Sequence, residues 1–278
     1  MGQRRLILRL KGGLGNQMFQ YAAARGLSLR HNLRLALDTH TGFEGDPYRR
    51  RYELGCFNVS AERLTPEEAR VVLRRGRMRR LAVFLAERIA IRKFGQFHVP
   101  LPGVLLTCGD FCLQNRLQSY LYFQEAAEVI RREFTFRAPP AEKREIEESI
   151  RNSDSISLHV RLTQGLSDDG TTVCSSRLIQ PAHERLRAFY RKALAAVLPA
   201  AARPRVFLFS DTNVDHGLDW DGVPVTVVRR RAEEPPWQDM WLMSLCRTNI
   251  IANSTYSWWA AWLNRHPEKR VYAPEQYL

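Results

Sequence analysis

Residues 5–10 (Arg-Leu-Ile-Leu-Arg-Leu) run straight into Lys11-Gly12-Gly13-Leu14-Gly15-Asn16. Residues 17–30 then carry apolar or small side chains on one helical face, and a second apolar run at 33–37 ends at Asp38. Strand, glycine turn, helix and strand in that order are the opening of a parallel α/β sheet. The pattern returns after residues 137–142 (Arg-Ala-Pro-Pro-Ala-Glu), which read as a linker. Apolar strands are expected at 155–160, 205–209, 223–228 and 249–252, with helices at 181–198, 236–246 and 256–264. Further helices are expected at 66–94 and 124–133. At roughly 100–200 residues per domain, a chain of 278 residues divides into two α/β halves, 1–140 and 141–278. Each half has a Rossmann-like layout, whose ligands sit at the carboxyl ends of the strands.

Composition removes several other classes. The chain is 45% hydrophobic and 26% charged, which supports a buried core and excludes a disordered tail. No run approaches the ~20 apolar residues of a membrane helix. The apolar core of the N-terminus, Leu6–Leu8, is too short for a signal peptide. Gly2 lacks the Ser or Thr at position 6 that myristoylation needs. The cysteines, 56, 108, 112, 174 and 246, have no zinc spacing and read as free thiols of a cytosolic protein. The net charge of +13 suits nucleic acid, an anionic membrane or a phosphate-bearing ligand. It is almost all arginine, since the lysines are only 11, 93, 143, 192 and 269, and it is discounted as a compositional bias. No nucleic-acid motif accompanies the arginine-rich 70–93 segment, so no nucleic-acid partner is expected.

Four polar strand ends carry the chemistry. Gly12-Gly13-Leu14-Gly15-Asn16-Gln17 approaches a dinucleotide fingerprint, but Met18 stands where its third glycine belongs. Glycines still allow a close backbone approach, the helix start favours an anion, and Asn16 and Gln17 place amides there. His159-Val160-Arg161 closes strand 155–160, where a guanidinium can clamp a phosphate. Ser210 and Asp211 follow strand 205–209 and suit a ribose or a base edge. Asn253-Ser254-Thr255-Tyr256 joins strand 249–252 to a helix whose first N–H groups can face a phosphate. Trp258 and Trp259 read as helix packing. Together the strand ends point to an anionic nucleotide ligand in an interdomain cleft. Asp219-Trp220-Asp221 is a literal D-x-D, but it lies in a Gly/Pro-flanked loop, so it is not expected to hold a metal.

Five ordered segments resemble glycosyltransferase family 11, the α-1,2-fucosyltransferases. They are GGLGNQMFQYA (12–22), YELGCFN (52–58), LQSYLYFQEAAEVIRREFTF (117–136), LFSD (208–211) and MSLCRTNIIANSTYSWWAAWLN (243–264). The resemblance implies a GT-B fold, two Rossmann-like domains facing across a cleft, with an acceptor-side 1–140 and a GDP-sugar-binding 141–278. It implies an inverting hexosyl transfer from GDP-β-L-fucose to the 2-hydroxyl of a galactoside, a galactoside α-1,2-fucosyltransferase. The donor could also be a related GDP-deoxyhexose such as colitose, and a degenerate sugar-nucleotide-binding protein is a further alternative. The acceptor would be a galactose-containing glycan of an O-antigen or other surface polysaccharide, in one version lipid-linked. That would put the enzyme in the cytoplasm, where 70–93 is either a solvated helix or a face for peripheral contact with the anionic inner face of the cell membrane.

By motif position, Arg161 would neutralise the diphosphate, with Ser254, Thr255 and the helix start. Ser210 and Asp211 would contact the nucleoside. Gly13, Gly15, His159, Asn253 and Tyr256 complete the implied donor set, and Asn16 would face the reaction centre. No cofactor and no metal are expected, because Arg and helix N-termini supply the positive charge in such folds. One departure stands out. Where the family has H-x-R-R-x-D, this chain has His159-Val160-Arg161-Leu162-Thr163-Gln164, and Gln164 cannot act as a base. Three readings stand: Asp168 or Asp169 substitutes, another acid such as Asp38 or Glu44 serves, or an oxocarbenium-like transfer needs no strong base.

Overall fold

The computed structural model describes residues 5–72, 111–113, 117–138, 140–161, 176–210, 218, 220, 222–231 and 233–275. The chain forms two compact units, Met1–Tyr52 with Val59–Glu133, and Glu53–Asn58 with Phe134–Leu278.

In the first unit, β1 (Arg5–Arg9) lies between β2 (Arg34–Asp38) and β4 (Phe111–Leu113), with β3 (Glu62–Arg63) outside β2. All the pairs are parallel, and Ile7 is in register with both Ala36 and Cys112. A parallel strand covered on both faces must be apolar throughout, and Leu6, Ile7 and Leu8 are buried together. Helix α1 (Leu14–Arg30) starts inside the glycine motif, earlier than expected at 17. Gly13 takes the N-cap place, and the N–H groups of Asn16 and Gln17 both bond its carbonyl at 3.0 Å. Residues 66–72 are helical. Most of the arginine-rich 70–93 segment lies outside the described residues. Helix α2 (Ala127–Glu133) follows a 3-10 turn at Gln124–Ala126.

Two residues hold the glycine loop and the next loop in place. Gly12 has φ +78, a left-handed backbone that costs glycine nothing, and a Cβ there would come within 2.9 Å of Asn16 Nδ2. At Gly42 a Cβ would meet the Leu10 carbonyl oxygen at 1.8 Å, so only glycine lets this loop lie against the end of β1.

The second unit holds α3 (Arg144–Arg151), β5 (Asp154–Val160), α4 (Ser176–Val197), β6 (Pro204–Ser210), β7 (Val225–Val228), α5 (Trp237–Leu245), β8 (Thr248–Ile250), α6 (Thr255–Leu263) and β9 (Arg270–Tyr272). The sheet order is β7-β6-β5-β8-β9, all parallel. Its core joins Ile156, Leu158 and Val160 of β5 to Val206 and Leu208 of β6 and to Leu186, Tyr190 and Leu194 of α4. Strands β3, β4 and β9 escape the sequence reading because two or three residues carry no periodicity.

The family-like segment 52–58 falls almost wholly in this second unit. Phe57 bridges Phe136 in antiparallel register, and its ring lies 5.0 Å from Phe134 and 4.8 Å from Phe136. Arg137 donates its backbone N–H to Cys56 O and its Nε–H to Phe57 O. Phe134 in turn meets Trp259 of α6 edge to face at 5.2 Å. Trp259 is fully buried, so it acts in helix packing.

Candidate functional site

From β5 the second unit runs outward through β6 to β7. The chain then returns along α5 and adds β8 on the other side of β5. The direction of winding therefore reverses between β5 and β8, and crevices at such reversals hold the ligands of open α/β sheets. Arg161 leaves the carboxyl end of β5, and Asn253–Tyr256 follow β8 into α6. Arg161 Nη1 donates to Ser254 Oγ at 3.1 Å, which spans the reversal. Ser254 is buried and is the N-cap of α6, with extended backbone (φ −152, ψ 128). Its Oγ also accepts the Tyr256 N–H at 3.3 Å. A guanidinium and a helix N-terminus thus converge on one spot, where both favour an anion.

The other expected donor residues spread around this pair. Ser210 ends β6 and is in register with Val160, one residue before Arg161. Thr255 is the first residue of α6, and Asn253 is half-buried beside it. His159 is buried, and its ring lies 5.8 Å from that of Tyr256. The Tyr256 hydroxyl donates to the Pro236 carbonyl, which ties α6 to the start of α5. Burial and the nearby Asp239 carboxylate push the Tyr256 phenol well above its ordinary range. Asp168, Asp169, Gln164, Asp211, Asp219 and Asp221 lie outside the described residues.

Sequence reasoning missed what holds β8 against β5. Asn249 is buried, and its Nδ2 donates to Ser157 Oγ and to Met243 O, both at 2.7 Å. Asn249 Oδ1 accepts from Asn264 Nδ2 at 2.7 Å, and Asn264 Nδ2 also reaches Cys246 O at 2.6 Å. One amide on β8 therefore bonds β5, the end of α5 and the end of α6. Only the tertiary structure shows this, because nothing in an isolated Asn says which backbone it meets.

A second missed group sits at the start of α5. Lys143 Nζ pairs with Glu234 at 2.8 Å, and both side chains are largely buried. The bond from Lys143 holds the Glu234 carboxyl below its usual range. Asp239 behaves oppositely. Among the described residues its Oδ1 is buried without a hydrogen-bond partner, Arg230 Nε is 3.9 Å from its Oδ2, and desolvation pushes the carboxyl up to about 6. Such a group binds its proton more tightly folded than unfolded. Its contribution to stability is therefore largest at low pH and fades as pH rises from about 4 to about 6. Asp239→Asn should remove that slope and raise the thermal midpoint at pH 7.5, as read by melting curves across pH 4–8. An unchanged slope in the variant would refute the assignment.

In the first unit the winding also reverses, between β1 and β4. The glycine loop leaves β1 there. Asn16 Oδ1 accepts from Gln118 Nε2 at 2.9 Å, a bond that spans this reversal as Arg161–Ser254 spans the other. Gln17 is fully buried, and its Nε2 donates to Gly12 O at 2.9 Å and Arg51 O at 2.8 Å. Gln20 exchanges bonds with the Lys11 backbone in both directions. Gln17, expected to add an amide for a ligand, is instead a clamp on the loop, while Asn16 stays half-buried at its mouth.

Two of the acids weighed as bases are otherwise engaged. Asp38 is buried, its Oδ1 accepts the N–H groups of His40 and Thr41, and its Oδ2 accepts the Thr41 hydroxyl. Those bonds shape the loop after β2. Glu44 is exposed and paired with Arg70 at 3.4 Å.

Among the described residues no three His, Cys, Asp or Glu side chains gather as a metal site would need. Among the same residues no helix is long and apolar enough to cross a membrane.

Comparison with known proteins agrees with this architecture. The model of the family described as glycosyl transferase family 11 matches residues 111–276. The O-antigen biosynthesis glycosyltransferase WbnK of Escherichia coli is 30% identical over 97% of this chain and 93% of its own length. An α-1,2-colitosyltransferase of Escherichia coli is 25% identical over 98% and 92%. Among solved structures, the NodZ α-1,6-fucosyltransferase of Bradyrhizobium, soaked with GDP-fucose, superposes with a TM-score of 0.53. It is 18% identical and covers 94% of this chain and 93% of its own, so the fold is the GT-B type of the fucosyltransferases. With its family model and full-length relatives in agreement, this chain belongs to glycosyl transferase family 11.

Proposed function

We propose that this glycosyltransferase moves L-fucose from GDP-β-L-fucose to the 2-hydroxyl of a galactoside in a surface polysaccharide, with inversion and an α-1,2 linkage. The observation that carries the reading is the Arg161–Ser254 bond at the start of α6. GDP gains negative charge as its bond to the sugar breaks, and a fixed cation beside a helix N-terminus stabilises that charge more in the transition state than in the ground state. His159, Ser210, Asp211, Asn253, Thr255 and Tyr256 complete the donor set. The first unit, with Gly13, Gly15 and Asn16 on its glycine loop, takes the acceptor glycan. The acceptor hydroxyl attacks the anomeric carbon from the face opposite GDP, loses its proton to Asp168 or Asp169 or to water, and GDP departs. Arg161 and the α6 start supply the positive charge, so no metal is required.

The O-antigen relative supports a glycan acceptor, which in one version is lipid-linked at the anionic inner face of the membrane. The α-1,2-colitosyltransferase relative favours a second reading, in which the donor is GDP-colitose and the linkage is the same.

Purified protein should be offered GDP-fucose and GDP-colitose with a panel of galactosides, with and without EDTA, and the product linkage read by NMR. Fucose in α-1,2 linkage, formed equally well in EDTA, is the expected result. Loss of turnover on chelation would overturn the metal-free mechanism. A preference for GDP-colitose would establish the second reading, and GDP binding without transfer to any acceptor would mark a degenerate binding protein.

A further inference from the structure

The loop after β2 carries Tyr48-Arg49-Arg50-Arg51-Tyr52, and Arg63 ends β3 beside β2. The guanidinium carbon of Arg50 lies over the Tyr48 ring, 4.3 Å from its centroid, and that of Arg63 lies over Tyr52 at 5.4 Å. Stacking engages the face of a guanidinium and leaves its N–H edge for an oxyanion. None of these four arginines pairs with a carboxylate among the described residues, in contrast to Arg34 with Glu62 and Arg70 with Glu44. Of the acids close in sequence, Asp46 is committed to the N–H groups of Tyr48 and Arg50 and so holds the loop in shape, and Glu62, beside Arg63, pairs with Arg34. Gln17 grips Arg51 O and Gly12 O with one amide, which fastens this basic loop to the glycine loop that carries Asn16.

We infer that Arg50, Arg51 and Arg63, held by Tyr48, Tyr52 and Gln17, form an anion subsite that binds a phosphoryl group of the acceptor. Three arginines without a carboxylate partner among the described residues, two of them stacked on aromatic rings, suit a doubly charged diphosphate better than a neutral sugar. The assignment rests on the proposed acceptor role of the first unit. It adds that the enzyme reads the charged handle of its acceptor as well as the terminal galactoside.

The test compares one galactoside on an alkyl diphosphate handle with the same glycan on a neutral alkyl handle, at saturating GDP-fucose. Wild-type enzyme should favour the diphosphate acceptor by about tenfold in kcat/KM, through KM, and the preference should shrink in high salt. In R50Q/R51Q the two acceptors should become equivalent, with KM for GDP-fucose unchanged. Arg49 is kept, because its backbone is left-handed (φ 53). R151Q, which removes one charge from α3 in the other unit, should keep the preference. An equal preference in wild type and R50Q/R51Q would overturn the inference.

A second measurement stands apart from transfer. With GDP saturating the donor site, calorimetry should show pyrophosphate binding to wild type and about tenfold weaker binding to R50Q/R51Q. Binding that is absent, or identical in both, would overturn the subsite even if no acceptor were turned over, whereas failure of transfer with this binding intact would count only against the proposed reaction. Sedimentation with phosphatidylglycerol vesicles separates the other source of phosphate. A variant that loses vesicles but keeps its acceptor preference would place the patch on a lipid headgroup and refute the acceptor role.

Discussion

Arg161→Ala is expected to lower GDP-sugar turnover by roughly a thousandfold while the thermal midpoint stays near that of wild type. Removing one preorganised donor to a developing anion costs about 10²–10³ in rate, and a cation beside a helix start lies at or above that range. The side chain is half-exposed, so its loss opens no cavity. Its bond to Ser254 Oγ is replaceable by water. Arg161→Lys keeps the charge and loses the planar fork, so it should recover only part of the rate. Steady-state kinetics with GDP-fucose, alongside a melting curve, decide the matter. Near wild-type kcat/KM in the alanine variant would remove Arg161 from the mechanism, and a collapsed melting curve would reassign it to structure.

Asn249→Leu should have the largest effect on stability. The substitution keeps the branched skeleton but replaces the amide with two bulkier methyl groups, so it removes the polar network and overpacks the site. It removes the bonds of Asn249 to Ser157 Oγ, Met243 O and Asn264 Nδ2, each of which keeps one other bond, to Thr248 O, Cys246 N–H and Cys246 O respectively. A buried hydrogen bond contributes about 0.5–1.5 kcal/mol net, three coupled bonds are lost and overpacking adds about 1–3 kcal/mol, so a loss of about 3–5 kcal/mol is expected. For a unit of this size that lowers the midpoint by roughly 10 °C. Differential scanning calorimetry reads it directly. Asn249→Asp keeps the acceptor and loses the donors, and should also be destabilised. Activity should fall with temperature in both variants, because β8 carries Ser254 toward Arg161. A midpoint within about 2 °C of wild type would show that the network is dispensable.

The strand ends were legible in the sequence because the physics that makes them is local. A parallel strand must be apolar on both faces, so RLILRL and SISLHV are visible as strands without any partner. Where such a run meets glycine or small polar residues, the chain turns and the next helix begins. Arg161 and Asn253–Tyr256 could therefore be named in advance, and the structure brings Arg161 and Ser254 within 3.1 Å.

Other features depended on partners distant in sequence. Gln17 looks like a ligand amide beside glycines, and only its burial against Gly12 and Arg51 shows a clamp. Asp38 looks like an acid at a strand end, and only the bonds from His40 and Thr41 show that it is occupied.

By itself, then, the sequence determined the class of fold, the alternation of strand and helix, and the polar strand ends on which the proposed donor site rests. The tertiary structure decided which strands are neighbours, and hence that the winding reverses between β5 and β8 and between β1 and β4. It also decided that residues 53–58 join the second unit, and that one buried asparagine ties β8 to its surroundings. The physical reason is the range of the forces involved. Periodicity and turn chemistry act over a few residues and leave a mark in the sequence. Strand order and buried polar pairing depend on groups tens of residues apart, and become definite only once the whole chain has found its partners.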